Sequence, residues 1–149
     1  MTALSRRLVL GGGAGALLVA AATPARATPE TMRAAMAAFA AGAEIRPGRV
    51  RIEIPPLVEN GNAVPTTITV DSPMTEADHV ATIALFNERN PLPDIARFHL
   101  GPRAGRAWVS TRIRLGDTQQ IAALARMSDG SVWSATAELI VTLPACIEG

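Results

Sequence analysis

Short runs of alternating apolar and polar residues follow one another along most of this chain. In VRIEI, residues 50–54, the apolar side chains take every second position, and TTITV, residues 66–70, alternates in the same way. A period of two puts successive side chains on opposite faces of a β-strand, so each run predicts a strand with one buried face. The greater part of the chain is therefore expected to form sheets.

Turn residues separate these runs from further strands of the same kind. The additional strands are predicted over residues 79–86, 95–100, 108–115, 121–127 and 131–143. Residues 55–65, PPLVENGNAVP, are predicted to form a loop with a turn at Asn60-Gly61, and Asp129-Gly130 predicts the turn of a hairpin. The run 121–127 is rich in Ala and Leu, which also suit a helix, but its place before that turn favours a strand. Seven or so short strands at this spacing predict an all-β protein with a β-sandwich.

One helix is predicted ahead of the strands. Thr28 suits the N-cap, and Pro29 suits the first helical position, where its missing N–H costs nothing. The helix is expected to continue to about Ala41, with Gly42 closing it. Its apolar residues recur at spacings of four and three and so form one stripe, which predicts core packing and not a ligand site: Met32, Met36 and Phe39.

Residues 1–27 have the pattern of an export signal. An apolar run over residues 8–22 leads to Ala25-Arg26-Ala27, a small-x-small cleavage pattern, and we expect cleavage after Ala27. The stretch SRRLVL, residues 5–10, resembles the twin-arginine signal, which carries folded proteins across the bacterial inner membrane. The run is shorter than the roughly 20 residues that span a bilayer. We therefore expect a periplasmic protein with no membrane attachment after cleavage.

Removal of the signal changes the charge of the chain. It takes away three of the 14 basic residues and leaves 11 arginines against 13 acidic residues, a net charge of −2 for residues 28–149. Binding of nucleic acid requires a surplus of positive charge, so no nucleic-acid partner is expected. The remaining length suits one domain, predicted over residues 28–143, with a tail over 144–149.

The sequence predicts no catalytic constellation, metal site or cofactor site. His79 and His99 are the only histidines, and they lie on different predicted strands without a metal-ligand spacing. His99 is expected to pack or to form a hydrogen bond at a sheet face. A serine hydrolase motif, Gly-x-Ser-x-Gly, does not occur, and the glycines of GGGAG lie inside the signal and so form no phosphate loop.

Cys146 is the only cysteine in the chain. Exported proteins normally pair their cysteines, so Cys146 is buried and inert, joined to another chain, or free to react. Pro144 ends the preceding strand, and residues 144–149 have no apolar pattern, which predicts a flexible tail that exposes the thiol. Such a tail reaches only about 10 Å beyond the sheet. The nearby carboxylates disfavour a thiolate, which suits a thiol activated in the active sites of other proteins.

Several long segments of the mature chain resemble one known family. They are AAFAAGAEIRPGRVRIEIPPLVENGNAVP, VDSPMTEADHVATIALFNERNPLPDIARFHLGPRAGRAWVSTRIRL and MSDGSVW, and they occur with the signal and the terminal cysteine. Together they resemble SoxY, the carrier subunit of bacterial thiosulfate oxidation. The resemblance covers essentially the whole mature chain.

The resemblance implies an immunoglobulin-like β-sandwich, a heterodimer with a SoxZ subunit and covalent attachment of sulfur intermediates to Cys146. It also implies three enzymes as partners: a haem protein that attaches thiosulfate, a hydrolase that releases sulfate and a dehydrogenase that oxidises the remaining sulfane sulfur. The best-known members place this cysteine in Gly-Gly-Cys-Gly-Gly, whereas this chain has PACIEG. The alternative interpretation is an exported protein-binding module whose cysteine is incidental or joins two chains.

Overall fold

A computed structural model describes residues 26–145 of the chain. Within this range there is one α-helix, α1 (Pro29–Ala40), and a short 3-10 turn at Pro102–Ala104. The strands are β1 (Ile45–Pro47), β2 (Val50–Glu53), β3 (Leu57–Val58), β4 (Val64–Val70), β5 (Val80–Asn87), β6 (Asp94–His99), β7 (Ala107–Ile113), β8 (Gln119–Met127) and β9 (Val132–Val141). Most of the predicted signal, residues 1–25, and the predicted site residue Cys146 lie outside the described residues.

Two sheets pack face to face around the main core. The larger sheet has the order β1-β9-β8-β5-β6, with β3 also paired to β9, and the smaller has the order β2-β4-β7. Fully buried side chains fill the space between the sheets, among them Ile68, Ile83 and Ile121. This arrangement confirms the predicted all-β class and β-sandwich. No helix among residues 26–145 is long and apolar enough to cross a membrane.

The hairpin of β8 and β9 forms where the sequence predicts it. The two strands pair antiparallel, and the turn between them contains Asp129 and Gly130, the latter with a φ of 84°. The hydroxyl and the backbone N–H of Ser131 donate to the Asp129 carboxylate over 2.6 and 2.9 Å. These hydrogen bonds lower the pKa of Asp129, because they favour its ionised form. Because β8 spans Gln119–Met127, the prediction of a strand over residues 121–127 is confirmed.

The sequence prediction missed two short strands, β1 and β3. β3 lies in a segment predicted as a loop, and β1 precedes the first predicted strand. Both pair parallel to β9, with Ile45 beside Val132 and Leu57 beside Ile140. Each is too short to show an alternation of its own, and its partner is distant in sequence. The prediction of an uninterrupted loop before β4 is wrong for this reason.

Helix α1 covers the outer face of the larger sheet. Thr28 caps it, with its hydroxyl accepting from the backbone N–H of Thr31, and Ala41 in the left-handed region ends it. Met32 and Phe39 are buried against the sheet, where the Phe39 ring meets that of Phe86 edge-on with centroids 6.0 Å apart. Met36 is partly buried against the same cluster, so the predicted stripe is confirmed as core packing.

Phe86 links the helix to the sheet, and its loss is expected to cost much of the stability. The side chain is fully buried in the second hydrophobic cluster. Phe86→Ala is expected to lower the free energy of unfolding by about 3–5 kcal/mol, because it removes the buried ring and leaves a cavity. Urea unfolding followed by circular dichroism measures this loss. Leu92→Ala, at a side chain that is 66% exposed, is the control, and an equal loss in both variants would contradict the prediction.

Candidate site at the carboxyl-terminal rim

The chain leaves its last strand at one end of the sandwich, which we call the rim. The rim consists of residues 59–62, 88–92, 114–118 and 142–145, the connections after β3, β5, β7 and β9. Backbone and side-chain hydrogen bonds join these four segments to one another. The predicted site residue, Cys146, follows this last segment directly.

Three backbone hydrogen bonds fix the final described residues to the rim. The N–H of Gly61 donates to the carbonyl of Leu143 over 2.8 Å, and the N–H of Leu115 donates to the carbonyl of Gly61 over 2.9 Å. The N–H of Ala145 then donates to the carbonyl of Leu115 over 3.0 Å. Ala145 is only 6% exposed. We call this set of contacts the anchor.

The anchor differs from the prediction that the tail is free from residue 144. Pro144 is exposed, but Ala145 is buried and hydrogen-bonded, so the folded body extends up to the residue before Cys146. Folded contacts therefore continue past the predicted boundary at residue 143, at least to Ala145. The sequence prediction considered side-chain patterns, whereas the anchor consists of backbone groups and one small methyl group.

Gly61 allows the connecting segments of the anchor to approach one another closely. A Cβ atom at this position would lie 2.2 Å from the carbonyl oxygen of Leu115 and 2.9 Å from the backbone nitrogen of Ala145. The Asn60 side chain accepts a hydrogen bond from the N–H of Asn62 over 3.0 Å and shapes the turn. The predicted Asn60-Gly61 turn is confirmed, and only glycine fits at position 61, because a side chain there would collide with the neighbouring backbone.

A second group of hydrogen bonds holds the neighbouring loops of the rim together. The side chain of Asn90 donates to the carbonyl of Arg114 over 2.8 Å and accepts from the N–H of Gly116 over 3.0 Å. The buried side chain of Gln119 donates to Asn90 over 3.3 Å and accepts from the N–H of Arg89 over 3.1 Å. These amides give the rim a fixed shape. The sequence prediction missed them, because lone Asn and Gln residues usually signify turns or surface.

Three exposed aliphatic side chains lie on the segments that lead into the anchor or belong to it. Leu57, Ile140 and Leu143 are 53, 59 and 59% exposed, and we call them the ridge. Leu57 and Ile140 are direct partners between β3 and β9, and parallel partners lie on the same face of the sheet.

Two grooves border the ridge. One has a volume of about 440 Å³ and is lined by Ile140 together with Glu88 and Glu138, and the other has about 270 Å³ and is lined by Leu57 together with Glu59.

The two histidines are not brought to the rim. His79, just before β5, has its Nδ1 3.0 Å from the carbonyl of Thr75. His99 on β6 has its Nδ1 3.2 Å from the hydroxyl of Thr82, which confirms the predicted hydrogen bond at a sheet face. Both lie near the opposite ends of their strands from the rim. In the part of the chain that the structure describes, no group of three or more His, Cys, Asp or Glu residues could hold a metal ion.

Comparison with known families decides where this chain belongs. Residues 35–146 match the family described as "Sulfur oxidation protein SoxY". The chain belongs to the SoxY family. The match covers most of the chain and ends on Cys146. The resemblance inferred from the sequence is therefore confirmed, and it places the chain in sulfur oxidation.

A solved structure of a SoxY protein has the same fold. The sulfur carrier protein SoxY from Chlorobium limicola f thiosulfatophilum is 27% identical with a TM-score of 0.64, and the alignment covers 76% of this chain and 98% of that protein. This similarity supports the immunoglobulin-like form of the sandwich.

Several superoxide reductases are similar to this chain in fold only. The superoxide reductase (neelaredoxin) from Ignicoccus hospitalis has 19% identity over 77% of this chain and 94% of its own, with a TM-score of 0.55. The Nanoarchaeum equitans enzyme has 18% identity over 64% of this chain and 100% of its own, with a TM-score of 0.54. No curated protein matches the chain significantly in sequence.

Proposed function

We propose that this SoxY-family protein is a sulfur carrier whose Cys146 holds thiosulfate-derived intermediates covalently. The observation that carries the proposal is the family match, which runs through the domain and ends on the chain's only cysteine. The anchor supports it, since it fixes the backbone at Ala145 and gives the thiol a defined base at the rim.

The chemistry proposed for Cys146 starts with the formation of a sulfur–sulfur bond. Its thiol joins the sulfane sulfur of thiosulfate, the thiol proton is released and two electrons pass to the haem protein. Water then cleaves the bond between the sulfane sulfur and the sulfonate group in the hydrolase, which releases sulfate and leaves a persulfide on Cys146. The dehydrogenase then takes six electrons from the remaining sulfane sulfur, and three water molecules supply the oxygen of the sulfonate that forms with the release of six protons. These enzymes supply the catalytic groups, in keeping with the position of His79 and His99 away from the rim.

The cellular setting proposed for the carrier is the periplasm, reached by the twin-arginine route. The SRRLVL stretch and the small-x-small cleavage pattern support this location. A SoxZ-like subunit is proposed as the permanent partner, and a route for folded proteins allows both subunits to be exported as one complex.

Mass spectrometry of the protein from cells grown on thiosulfate tests the proposed function. We expect a fraction of the molecules to be heavier by a thiosulfate-derived group or by added sulfur, and peptide fragmentation to place this mass on Cys146. A reducing agent is expected to remove it, since the link is a sulfur–sulfur bond. Cells grown without reduced sulfur compounds are the control. Unmodified Cys146 in both cultures, or a permanent disulfide dimer without adducts, would contradict the proposal.

A further inference from the structure

The anchor limits how far the cargo can move from the body of the protein. Consecutive Cα atoms are about 3.8 Å apart, so the backbone of Cys146 stays within one such step of Ala145. The N–H of Ala145 is bonded to Leu115, and the residue is 6% exposed. An enzyme that receives the thiol in its active site must therefore bring its own surface against the rim.

The ridge is the apolar surface that such an enzyme would meet. Leu143 lies three residues before Cys146, and its carbonyl belongs to the anchor. Leu57 and Ile140 lie side by side on the two strands that lead into the same rim, and more than half of each side chain is exposed. Exposed aliphatic side chains near a proposed attachment residue are a natural place for an interaction site.

The charges around the ridge indicate the chemistry of the partner. Glu88 and Glu138 line the groove beside Ile140, and Glu59 lines the groove beside Leu57. The described lining of these two grooves contains three glutamates and no arginine. Interfaces place opposite potentials against each other, so this surface fits a partner whose apolar patch has a cationic border.

The size of the ridge favours a transient contact. Stable complexes bury roughly 800 Å² on each partner, far more than three partly exposed aliphatic side chains offer. A carrier must also leave each enzyme after the reaction. Both arguments favour an enzyme over a permanent subunit as the occupant of this surface.

We propose that the ridge of Leu57, Ile140 and Leu143 is the docking surface for enzymes that act on the cargo of Cys146, and that these enzymes present an apolar patch bordered by Arg or Lys. This inference rests on the proposed function. A long free tail could carry the thiol to an enzyme without such a contact, whereas a thiol held close to the rim requires the enzyme to dock nearby.

The test introduces a charge into the ridge and measures the cargo. Ile140→Glu and Leu57→Glu are expressed in the native host grown on thiosulfate, and the fraction of Cys146 that carries sulfur adducts is measured by mass spectrometry. Both variants are expected to lose about tenfold in this fraction, because the added charge must be desolvated and faces the ridge's own acidic border. Trp108→Glu, at a 43% exposed residue on the smaller sheet, is the matched control and is expected to stay within about twofold.

Two further measurements separate docking from folding. The melting temperature and the rate of Cys146 alkylation by iodoacetamide are expected to equal those of the unaltered protein in the ridge variants. If Leu57→Glu or Ile140→Glu lowers the melting temperature, the adduct fraction of Leu143→Glu is the deciding measurement. Leu143 lies outside the strands and is 59% exposed, so this variant is expected to fold normally.

The outcomes distinguish this inference from the proposed function. Adducts on the unaltered protein, with equal loading of the folded ridge variants, would overturn the docking surface alone. Loss of a co-purifying subunit from the ridge variants would also overturn it, because the ridge would then belong to a permanent interface. Unaltered protein without any adduct would overturn the proposed function itself.

Discussion

The Cys146→Ser protein is expected to fold like the unaltered chain and to carry no sulfur. Serine has nearly the same size as cysteine, but its hydroxyl cannot form the sulfur–sulfur bond on which carriage depends. Cells whose only copy is this variant are expected to produce sulfate from thiosulfate at the rate of a deletion strain. Sulfate release measures the functional loss, and urea unfolding is expected to show a change below about 0.5 kcal/mol.

A relocated thiol provides the matched control for this experiment. Thr136 lies on β9 and is exposed, but it is outside the rim. The double variant Cys146→Ser, Thr136→Cys restores an exposed thiol to the protein in a different place and is expected to leave sulfate production at the deletion level. Normal sulfate production by the single Cys146→Ser variant would refute the carrier role of Cys146.

The sheet strands could largely be predicted from the sequence, because several of the longer strands alternate between buried and exposed residues. In β4, for example, Val64, Thr66, Ile68 and Val70 are buried, while the residues between them are more exposed. Ala and Leu content left β8 ambiguous, and only the turn at Asp129-Gly130 decided it. Even there the residues adjacent to the strand contained the needed information.

The short strands and the anchor could not be predicted, because their information lies in distant backbone groups. β3 has two residues, and its strand character comes from its pairing with Ile140 and Val141 of β9. The bonds of Gly61, Leu115 and Ala145 join backbone atoms of segments far apart in the chain. A backbone N–H or carbonyl is the same for nearly every residue type, so no pattern of side chains identifies these contacts.

The candidate site was predicted in part. Cys146 was identified from its solitary occurrence, its position and the family resemblance, and its role as the attachment site stays a prediction. The ridge was missed, because the run LIVTL at the end of β9 has no alternation and does not show which of its residues face outward. The packing of the two sheets buries Leu139 in the core between them and leaves Ile140 on the opposite, exposed face of β9.

Gly61→Ala is expected to break the anchor and to destabilise the protein. The new methyl group would lie 2.2 Å from the carbonyl oxygen of Leu115, which belongs to the backbone and cannot move aside without shifting its neighbours. Forced overpacking of this kind lowers the free energy of unfolding by about 1–3 kcal/mol. Urea unfolding measures the loss. Hydrogen exchange of the Ala145 amide is expected to accelerate by at least about tenfold, because its bond to Leu115 is broken.

Gly101→Ala is the control that separates the anchor from the general cost of replacing a glycine. A Cβ atom at Gly101 would have no atom within 4 Å, and this glycine is not among those with a positive φ. Its replacement is therefore expected to change the free energy of unfolding by less than about 0.5 kcal/mol and to leave exchange at Ala145 unchanged. Equal effects of the two substitutions, or unchanged exchange in Gly61→Ala, would show that the chain before Cys146 is not held by these bonds. The limited reach of the thiol, and with it the need for a docking surface at the rim, would then lose its physical basis.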